Sequence, residues 1–307
     1  MKNLISVVGP TGIGKTKLAI DLAKHFNTEI VSCDSRQFFK EMKIGTAAPS
    51  EEELSEATHH FIGNLSVKDY YSIGQYEEDA LKKLNELFEN HDTVILVGGS
   101  MMYEKAVIEG LNDLPEADEE NQKKLQEIFE KEGIEKLQEI LKELDPEYHA
   151  VVDLHNHRRL LRAIDVIWQT DKKYSELIAV SQDSRHFNVI RIGIEAPREE
   201  LYDRINRRVD IMMERGLLEE AKSLEKFKGL TALNTVGYAE LFKYFEGEWD
   251  LDFAVSEIKK NSRRYAKRQL TWYRKADDIH YLKLGYSQND FDDLIQWISE
   301  VSGNLNH

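Results

Sequence analysis

The fold of this chain is decided by the stretch Gly9-Pro10-Thr11-Gly12-Ile13-Gly14-Lys15-Thr16. The apolar run at residues 4–8 precedes it and predicts a buried strand, while residues 17–23 follow with apolar side chains at helical spacing. A strand, a glycine-rich turn and a helix that begins at Lys-Thr form the pattern of a phosphate-binding loop. The alternative is a plain glycine turn, but the flanking elements favour a loop that binds a polyphosphate.

Each residue type in this loop has a chemical reason to be there. Glycines let backbone N–H groups close around phosphate oxygens, and a helix N-terminus adds partial positive charge. Lys15 would supply a full charge to the terminal phosphates, and the Thr16 hydroxyl could ligate Mg²⁺. We therefore predict that Mg²⁺ is the cofactor, that Thr16 is its ligand, and that the substrate phosphates are bound by Gly9, Pro10, Thr11, Gly12, Ile13, Gly14, Lys15 and Thr16.

Length and composition set broad limits. A chain of 307 residues can bury one large core, or one core that carries a smaller inserted domain. Its single cysteine, Cys33, excludes an internal disulfide and fits a reducing compartment. We see no signal peptide before the first strand and no apolar run of membrane-spanning length. We therefore expect a soluble, cytoplasmic protein with no membrane contact, and a monomer.

The charge is unevenly distributed along the chain. The formal net charge of −15 argues by itself against a nucleic-acid partner. Residues 259–275, however, contain no acid and interleave lysine and arginine with aromatic side chains. On a helix, this segment places near one side Lys260, Arg264, Arg268 and Lys275. An ordinary exposed helix is the alternative, but the pattern favours a surface for a phosphate-rich ligand.

Further apolar runs predict a parallel sheet. They lie at residues 29–33, 93–97, 187–194 and 279–282, whereas residues 112–185 show helical patterns and no strand signal. We predict an α/β fold, a P-loop NTPase-like parallel sheet flanked by helices, with an all-helical insertion domain. The predicted domains are a P-loop catalytic core, 1–111 and 186–307, which carries the basic helix near its C-terminal end, and an insertion, 112–185.

The segment 40–72 has weak periodicity, and we interpret it as an irregular excursion over the site. Its adjacent pair His59-His60 has no further ligands at metal-binding spacing. A polar contact in a loop is therefore the favoured interpretation of this pair.

The ends of the predicted strands carry polar side chains. Ligands of open α/β sheets bind at the carboxyl ends of the strands, so Asp34, which follows the second strand, should face the phosphate loop. A turn or a helix cap is the alternative for Asp34. The strand at 93–97 ends in Gly98-Gly99-Ser100, where nucleotide-hydrolysing relatives of this fold commonly have a metal-binding Asp. This difference favours a transferase over a motor or helicase.

Two predicted helices carry arginine clusters. In the helix at 158–168, Arg158 and Arg162 share one face, and Leu160, Leu161 and Ile164 point towards a core. A solvated helix face remains the alternative for these arginines. The helix at 199–214 carries Arg204, Arg207 and Arg208, and Gly216 closes it.

Taken together, these motifs resemble the tRNA dimethylallyltransferase (isopentenyltransferase) family over nearly the whole chain. The resemblance rests on the phosphate loop together with Asp34-Ser35, Ile44-Gly45-Thr46-Ala47, His59-His60, Tyr71-Ser72, Val97-Gly98-Gly99, Arg158-Arg159-Leu160-Leu161-Arg162-Ala163, Arg207-Arg208-Val209, Gly237-Tyr238 and Tyr265-Ala266-Lys267-Arg268-Gln269-Leu270-Thr271-Trp272. It implies transfer of a dimethylallyl group from dimethylallyl diphosphate to the exocyclic amine of the adenosine immediately 3′ of the anticodon. The implied partners are the diphosphate and the anticodon stem-loop of tRNA.

The resemblance and the chemistry assign roles to particular residues. Breaking the allylic C–O bond creates charge that Lys15, Thr16 with Mg²⁺, and Arg208 would stabilise. Adenine amine is a poor nucleophile, so a carboxylate, Asp34, would take its proton. We also assign Ser100 to the catalytic set. The residues predicted to contact tRNA, including those of the insertion domain, are Asp34, Ser35, Arg36, Gln37, Ser100, Gln122, Arg158, Arg159, Leu160, Leu161, Arg162, Arg264, Lys267 and Arg268.

The sequence departs from the family pattern at two places. Ser100-Met101 stands where the family usually shows Thr-Gly, which keeps the hydroxyl but narrows the approach beside it, and Gly63 replaces a common Asp. Two other functions remain open from the residues. One is a small-molecule kinase that uses ATP through the same loop, and the other is a non-catalytic RNA-binding NTPase module.

Overall fold

The computed structural model describes residues 2–179 and 185–304. Within them, one sheet has six strands: β1 (Asn3–Val8), β2 (Ile30–Ser32), β3 (His59–His60), β4 (Thr93–Val97), β5 (Asn188–Glu195) and β6 (Ile279–Lys283). Every neighbouring pair is parallel, and the spatial order is β3-β2-β4-β1-β5-β6. The predicted parallel sheet is confirmed.

The described residues form thirteen α-helices and two short 3₁₀ turns. The helices are α1 (Lys15–Phe26), α2 (Glu51–Glu56), α3 (Ile73–Asn90), α4 (Met101–Glu109), α5 (Glu119–Leu144), α6 (Pro146–His149), α7 (His157–Thr170), α8 (Tyr174–Ile178), α9 (Arg198–Glu214), α10 (Leu217–Leu224), α11 (Tyr238–Phe245), α12 (Leu251–Tyr273) and α13 (Gln288–Asn304). The 3₁₀ turns are Glu225–Phe227 and Thr231–Leu233. In the part of the chain described here, no helix is long and apolar enough to cross a membrane.

The chain divides into two compact units. Unit 1 comprises Met1–Glu109 with Arg185–His307 and contains the whole sheet, and unit 2 comprises Gly110–Ser184. The described part of unit 2 contains the helices α5 to α8 and no strand. The prediction of helical insertion between sheet strands is therefore confirmed as an element pattern. Residues 1, 180–184 and 305–307 of the two predicted domains lie outside the described residues.

Apolar layers cover both faces of the sheet in unit 1. Successive side chains of β1 point to opposite faces, so Ile5 packs with α1, α9 and α13, while Leu4 packs with α3 and α4. All six residues of β1 are buried. A parallel strand that is buried on both faces needs a continuous apolar run, and the run at residues 4–8 was the signal that predicted this strand.

The start of α3 shows how the sequence fixes a helix boundary. The Ser72 hydroxyl accepts a hydrogen bond from Gln75 N (3.1 Å), and the Gln75 side chain accepts one from Ser72 N (2.8 Å). This reciprocal arrangement is a capping box, which satisfies two backbone donors at the helix start. Ser72 is therefore the N-cap of α3.

Residues 40–72 contain more regular structure than the weak periodicity predicted. They include α2 and the two-residue strand β3, in which His59 and His60 pair with β2. His60 Nε2 lies 2.6 Å from a Glu29 carboxylate oxygen, and His59 Nδ1 lies 2.8 Å from the Ala57 carbonyl. The histidine pair thus makes polar contacts, as predicted, but its predicted place in a loop is wrong, because the pair forms the edge strand of the sheet.

Unit 2 is built around its own apolar core. Leu125, Leu137 and Leu160 are completely buried there, together with Ile164. Helix α5 is kinked at Gly133, whose φ of 79° lies in the left-handed region that glycine tolerates. The kink separates two helical segments, one that contains Leu125 and one that contains Leu137.

Candidate active site

The phosphate loop connects β1 to α1 at the carboxyl edge of the sheet. Gly12 and Gly14 have φ values of 81° and 106°, which an L side chain adopts only with strain. A Cβ on Gly12 would also lie 3.1 Å from Ile205 Cγ1 of α9, so this glycine permits close packing. Helix α1 begins at Lys15, as expected for a loop whose N–H groups and helix N-terminus face an anion.

Lys15 lies inside the loop, beside charges of both signs. Its Nζ donates a hydrogen bond to the Pro10 carbonyl (2.9 Å). The pKa of Lys15 is lowered to about 8, chiefly by burial; the charge of Asp34 opposes this shift, and that of Arg208 contributes to it. The ammonium group is thus poorly solvated in the free protein. A phosphate group would provide the additional negative charge that this site favours.

This pKa predicts a pH dependence of anion binding. Lys15 is charged below about pH 8 and loses its proton above it, so affinity for inorganic diphosphate should fall as the pH rises through about 8. The loss should approach tenfold per pH unit, because binding requires the charged form. Calorimetric titration between about pH 7 and about pH 10 measures it. Lys15→Arg is the control, since its guanidinium stays charged and should remove the inflection. Affinity of the unmodified protein that stays constant up to about pH 9 would contradict this account.

Two arginines of α9 contact the loop. Arg208 Nη2 donates to Thr11 Oγ1 (2.6 Å), and Arg204 Nε donates to the Gly12 carbonyl (3.1 Å). Burial lowers the pKa of Arg208, and the neighbouring carboxylate of Asp34 opposes this shift. Arg208 was predicted to act here. The contact of Arg204 with the loop was not predicted, although this arginine was noted in the same cluster.

Asp34 lies two residues beyond the end of β2 and lines the same cavity as Thr11 and Arg208. Its Oδ1 accepts a hydrogen bond from Arg36 N (3.2 Å), which is a turn-stabilising contact. A Cβ placed on Gly99 would lie 3.4 Å from Asp34 Oδ2 and 4.0 Å from Lys15 Nζ. One carboxylate oxygen therefore supports the turn, and the other lies near Lys15.

The ends of β2 and β4 are held together by Ser35 and Ser100. Ser100 Oγ accepts a hydrogen bond from Ser35 N (3.0 Å), and the two hydroxyl oxygens are 2.9 Å apart. Gly98 allows this approach, because a Cβ there would lie 2.5 Å from Cys33 Sγ. Ser100 thus lines the cavity with its hydroxyl bonded to Ser35, and its catalytic role stays a prediction.

Two side chains of α12 contribute contacts that the sequence analysis missed. Tyr265 Oη donates to the Gly99 carbonyl (2.8 Å), and Gln269 Nε2 donates to the same oxygen (2.7 Å). Gln269 Oε1 also accepts from Thr11 N (2.8 Å). Positions 265 and 269 are one helical turn apart and share a face. That spacing could have predicted an inward face of the helix, but the basic residues of the same segment were interpreted only as an RNA surface.

A cavity of about 480 Å³ lies beside these groups within unit 1, and Lys15 and Gln269 are not among the residues that line it. Its polar end is formed by Thr11, Asp34, Ser100 and Arg208. Apolar side chains that line it come from α9, α10, α12 and the turn before α11: Ile205, Val209, Met212, Leu217, Val236 and Ile258. A charged end next to an apolar wall suits a ligand that has a phosphorylated head and a hydrocarbon tail.

The basic segment 259–275 lies mostly in α12. Arg264, Lys267 and Arg268 are exposed, and the Arg268 guanidinium lies 5.6 Å from the centre of the Tyr265 ring. Lys275 lies beyond the helix end at Tyr273, so its predicted place on the helix face is wrong. Lys260 pairs with Glu257.

The remaining predicted residues of unit 1 have intramolecular partners. Arg36 Nη1 donates to the carbonyls of Thr231 (3.0 Å) and Ala232 (3.1 Å). Gln37 Nε2 donates to the carbonyls of Thr46 (3.3 Å) and Ala47 (3.1 Å). These side chains fix loops at the cavity rim, and Arg36 lines the cavity itself.

In unit 2, the predicted tRNA contacts divide by exposure. Gln122, Arg158 and Arg159 are exposed, whereas Leu161 is half-buried. Leu160 has no exposed surface and belongs to the core, so a tRNA contact by its side chain is wrong for this structure. Arg162 is half-buried, like Leu161. It pairs with the buried Asp165 at 3.3 Å and also contacts the Pro115 carbonyl.

The loop fits the predicted Mg²⁺ ion through Thr16. Over residues 2–179 and 185–304, no group of three His, Cys, Asp or Glu side chains could hold a metal. Thr16 is half-buried in the first turn of α1, beside Lys15. A metal here would therefore take the Thr16 hydroxyl and obtain its other ligands from phosphate oxygens and water.

An all-parallel sheet with a glycine-rich loop, a lysine and a hydroxyl at the start of α1 defines a phosphate-loop α/β protein. The family model described as IPP transferase matches residues 37–276, which is most of the chain. The chain therefore belongs to the IPP transferase family, the family of tRNA dimethylallyltransferases, and the resemblance seen in the sequence is confirmed.

Relatives and solved structures extend the match to the phosphate loop. The chain is 51% identical to the tRNA dimethylallyltransferase of Christiangramia forsetii, over 95% of this chain and 97% of the relative. It is 50% identical to that of Flavobacterium johnsoniae, over 98% of both chains. The tRNA isopentenylpyrophosphate transferase of Bacillus halodurans has a TM-score of 0.72 at 33% identity and covers 100% of this chain and 97% of its own. The structure of a eukaryotic dimethylallyltransferase acting on tRNA matches with a TM-score of 0.81 at 25% identity. The match covers 99% of this chain and 78% of the eukaryotic chain.

Proposed function

We propose that this protein transfers a dimethylallyl group from dimethylallyl diphosphate to the exocyclic amine of the adenosine immediately 3′ of the tRNA anticodon. One observation carries the proposal. Asp34 and Arg208 line, with the phosphate-loop residue Thr11, one cavity that also has an apolar wall. Such a cavity can accept a diphosphate, a short hydrocarbon group and a nucleophile that must lose a proton. The activity named for the relatives supports the same reaction.

The diphosphate would occupy the loop at the polar end. Lys15 and Arg208 would neutralise the charge that grows on the leaving oxygen as the allylic C–O bond breaks. When bound through Thr16 and the phosphate oxygens, Mg²⁺ supplies further positive charge to the same group. The dimethylallyl group would lie against apolar residues of α9 and α12, away from bulk water.

Asp34 would act on the acceptor side. As the adenine nitrogen forms its bond to the allylic carbon, it becomes positively charged and must release a proton. Asp34 Oδ2 lies near Lys15 Nζ and beside Gly99, so it can receive that proton close to the departing diphosphate. The products would be the alkylated adenosine and free diphosphate.

The acceptor base must leave the anticodon loop to enter a cavity. The exposed cations Arg264, Lys267 and Arg268 on α12 supply phosphate contacts in unit 1, and Arg158 and Arg159 supply them in unit 2. The net charge of −15 does not prevent this, because phosphate contacts depend on local charge. Since the substrate is tRNA, we place the enzyme in the cytoplasm.

The test is incubation with dimethylallyl diphosphate, Mg²⁺ and unmodified tRNA, followed by mass spectrometry of the nucleosides. We expect one adenosine per tRNA to carry a dimethylallyl group in place of one amine hydrogen, with the corresponding gain in mass. Parallel incubation with ATP distinguishes the two other functions. Phosphate transfer to a small acceptor would support a kinase, and tRNA binding without modification would support a non-catalytic module.

The surface of α12 makes a separate prediction about tRNA affinity. Replacing Arg264 and Lys267 by Ala should weaken tRNA binding and reduce its salt dependence, because each lost phosphate contact lowers the slope of log affinity against log salt by roughly one. Filter binding over a range of salt concentrations measures both. Replacing Lys82 and Lys83 of α3 removes the same charge elsewhere and should leave the slope unchanged. Unchanged affinity of the α12 variant would place the RNA on another surface.

A further inference from the structure

Gln269 lies between the two halves of the site and touches both. It is completely buried in α12, and its carboxamide accepts a hydrogen bond from Thr11 N (2.8 Å) and donates one to the Gly99 carbonyl (2.7 Å). Thr11 belongs to the phosphate loop, and Gly99 precedes Ser100 at the end of β4. No other side chain among the described residues has a hydrogen bond to each of these two backbone groups.

We propose that Gln269 is a positioning residue for the transfer, which sets the phosphate loop at a fixed distance from the Gly99 turn. The inference rests on the function proposed above and adds a residue to it. Gln269 would touch neither the diphosphate nor the adenine. It would act through Thr11 on one side and through Gly99 on the other.

If the link through Gln269 were lost, the phosphate loop and the Gly99 turn could shift relative to each other. The contacts around Gln269 show which catalytic groups such a shift would move. On one side, Thr11 Oγ1 accepts from Arg208 (2.6 Å), so a movement of Thr11 also moves a charge that faces the leaving group. On the other side, Asp34 Oδ2 lies 3.4 Å from a Cβ placed on Gly99, and Gln269 Nε2 lies 2.9 Å from the same point. Reacting groups displaced by about 1 Å lose roughly 10²-fold in rate, so this spacing matters for transfer.

The chemistry of the contact requires one acceptor and one donor at the end of a side chain of this length. A glutamine provides both. An ionised glutamate provides only acceptors and would repel the Gly99 carbonyl, whereas a leucine of similar size provides neither group. These two substitutions therefore separate loss of the link from loss of packing.

The first experiment compares Gln269→Leu with Asp250→Ala. Asp250 caps the start of α12 by accepting from Phe253 N (2.8 Å), so its loss should lower the melting temperature by a few degrees without touching the cavity. We expect Gln269→Leu to reduce single-turnover transfer roughly 10²-fold and to weaken diphosphate binding, while tRNA affinity stays within about twofold. We expect Asp250→Ala to change none of the three by more than about twofold.

The second experiment uses Gln269→Glu and the pH. Burial raises the pKa of a carboxyl group, and the protonated form can still accept from Thr11 N and donate to Gly99. The ratio of the variant's single-turnover rate to that of the unmodified protein should therefore fall as the pH rises from about 6 to about 8. Taking the ratio removes the pH dependence that both proteins share.

The inference is overturned if Gln269→Leu changes diphosphate affinity and transfer no more than Asp250→Ala does. If Gln269→Leu does not fold, Gln269→Glu decides, and a rate ratio that stays within about twofold of one from about pH 6 to about pH 8 overturns the inference. Failure of the proposed function has a different result, because the unmodified protein would then form no dimethylallylated adenosine at any pH.

Discussion

Replacing Lys15 by alanine is expected to slow single-turnover transfer roughly 10³-fold, equivalent to about 4 kcal/mol of transition-state stabilisation. The negative charge on the diphosphate oxygen increases as the allylic bond breaks, so Lys15 interacts more strongly with the transition state than with the bound substrate. The loss should therefore be seen mainly in turnover. Rapid-quench measurement with excess enzyme over tRNA reports it directly.

Lys17→Ala is the matched control for this substitution. Lys17 lies two residues further along α1, and its ammonium is exposed and pairs with Asp21 at the surface. The Lys17→Ala substitution removes the same charge from the same helix, and surface ion pairs of this kind contribute little to stability. Its rate should stay within about twofold of the unmodified protein. A Lys15→Ala rate within about threefold would remove the phosphate loop from the mechanism.

Replacing Asp34 by asparagine should have the second large effect. Asparagine has nearly the same shape and can still accept the hydrogen bond from Arg36 N, so the turn after β2 should survive. It cannot take a proton. We therefore expect tRNA affinity within a few-fold, and single-turnover transfer lower by roughly 10²–10⁴-fold, the usual effect of a general base.

The capping alternative for Asp34 predicts the opposite pattern, a stability loss of about 1 kcal/mol with nearly normal chemistry. Melting temperature, tRNA affinity and transfer rate measured on one preparation separate the two. Asp250→Asn makes the same chemical change at a helix cap outside the cavity and should leave transfer unchanged. A folded Asp34→Asn protein whose transfer lies within about tenfold of normal would return Asp34 to a structural role.

The sequence was sufficient for the elements that have a strong local signal. Apolar runs marked β1, β2, β4, β5 and β6, and the rule that ligands lie at the carboxyl ends of parallel strands brought Asp34 towards Lys15. The strand β3 was missed, because two histidines carry no apolar signal and their pairing with β2 depends on residues far away in the sequence. Leu160 illustrates another limit. Its helical spacing predicted that it points towards a core, whereas the family motif that contains it was assigned to tRNA contact as a whole, and the structure buries Leu160.

Contacts between segments that are distant in the sequence could not be predicted from it. Gln269 meets Thr11 across 258 positions of sequence, and Arg204 meets Gly12 across 192. Such pairs depend on how α12 and α9 pack on the loop, and no local pattern encodes that packing. The basic segment of α12 was interpreted only as a surface for RNA, whereas its buried Gln269 also contacts the phosphate loop.

The most direct test follows diphosphate release and adenosine modification in the same single-turnover reaction. If Lys15, Arg208 and Asp34 serve one displacement at one site, both products should form with the same rate constant and in equal amounts, and dimethylallyl diphosphate should stay intact without tRNA. Diphosphate release without modified adenosine, or modification that lags behind release, would contradict the direct transfer proposed here.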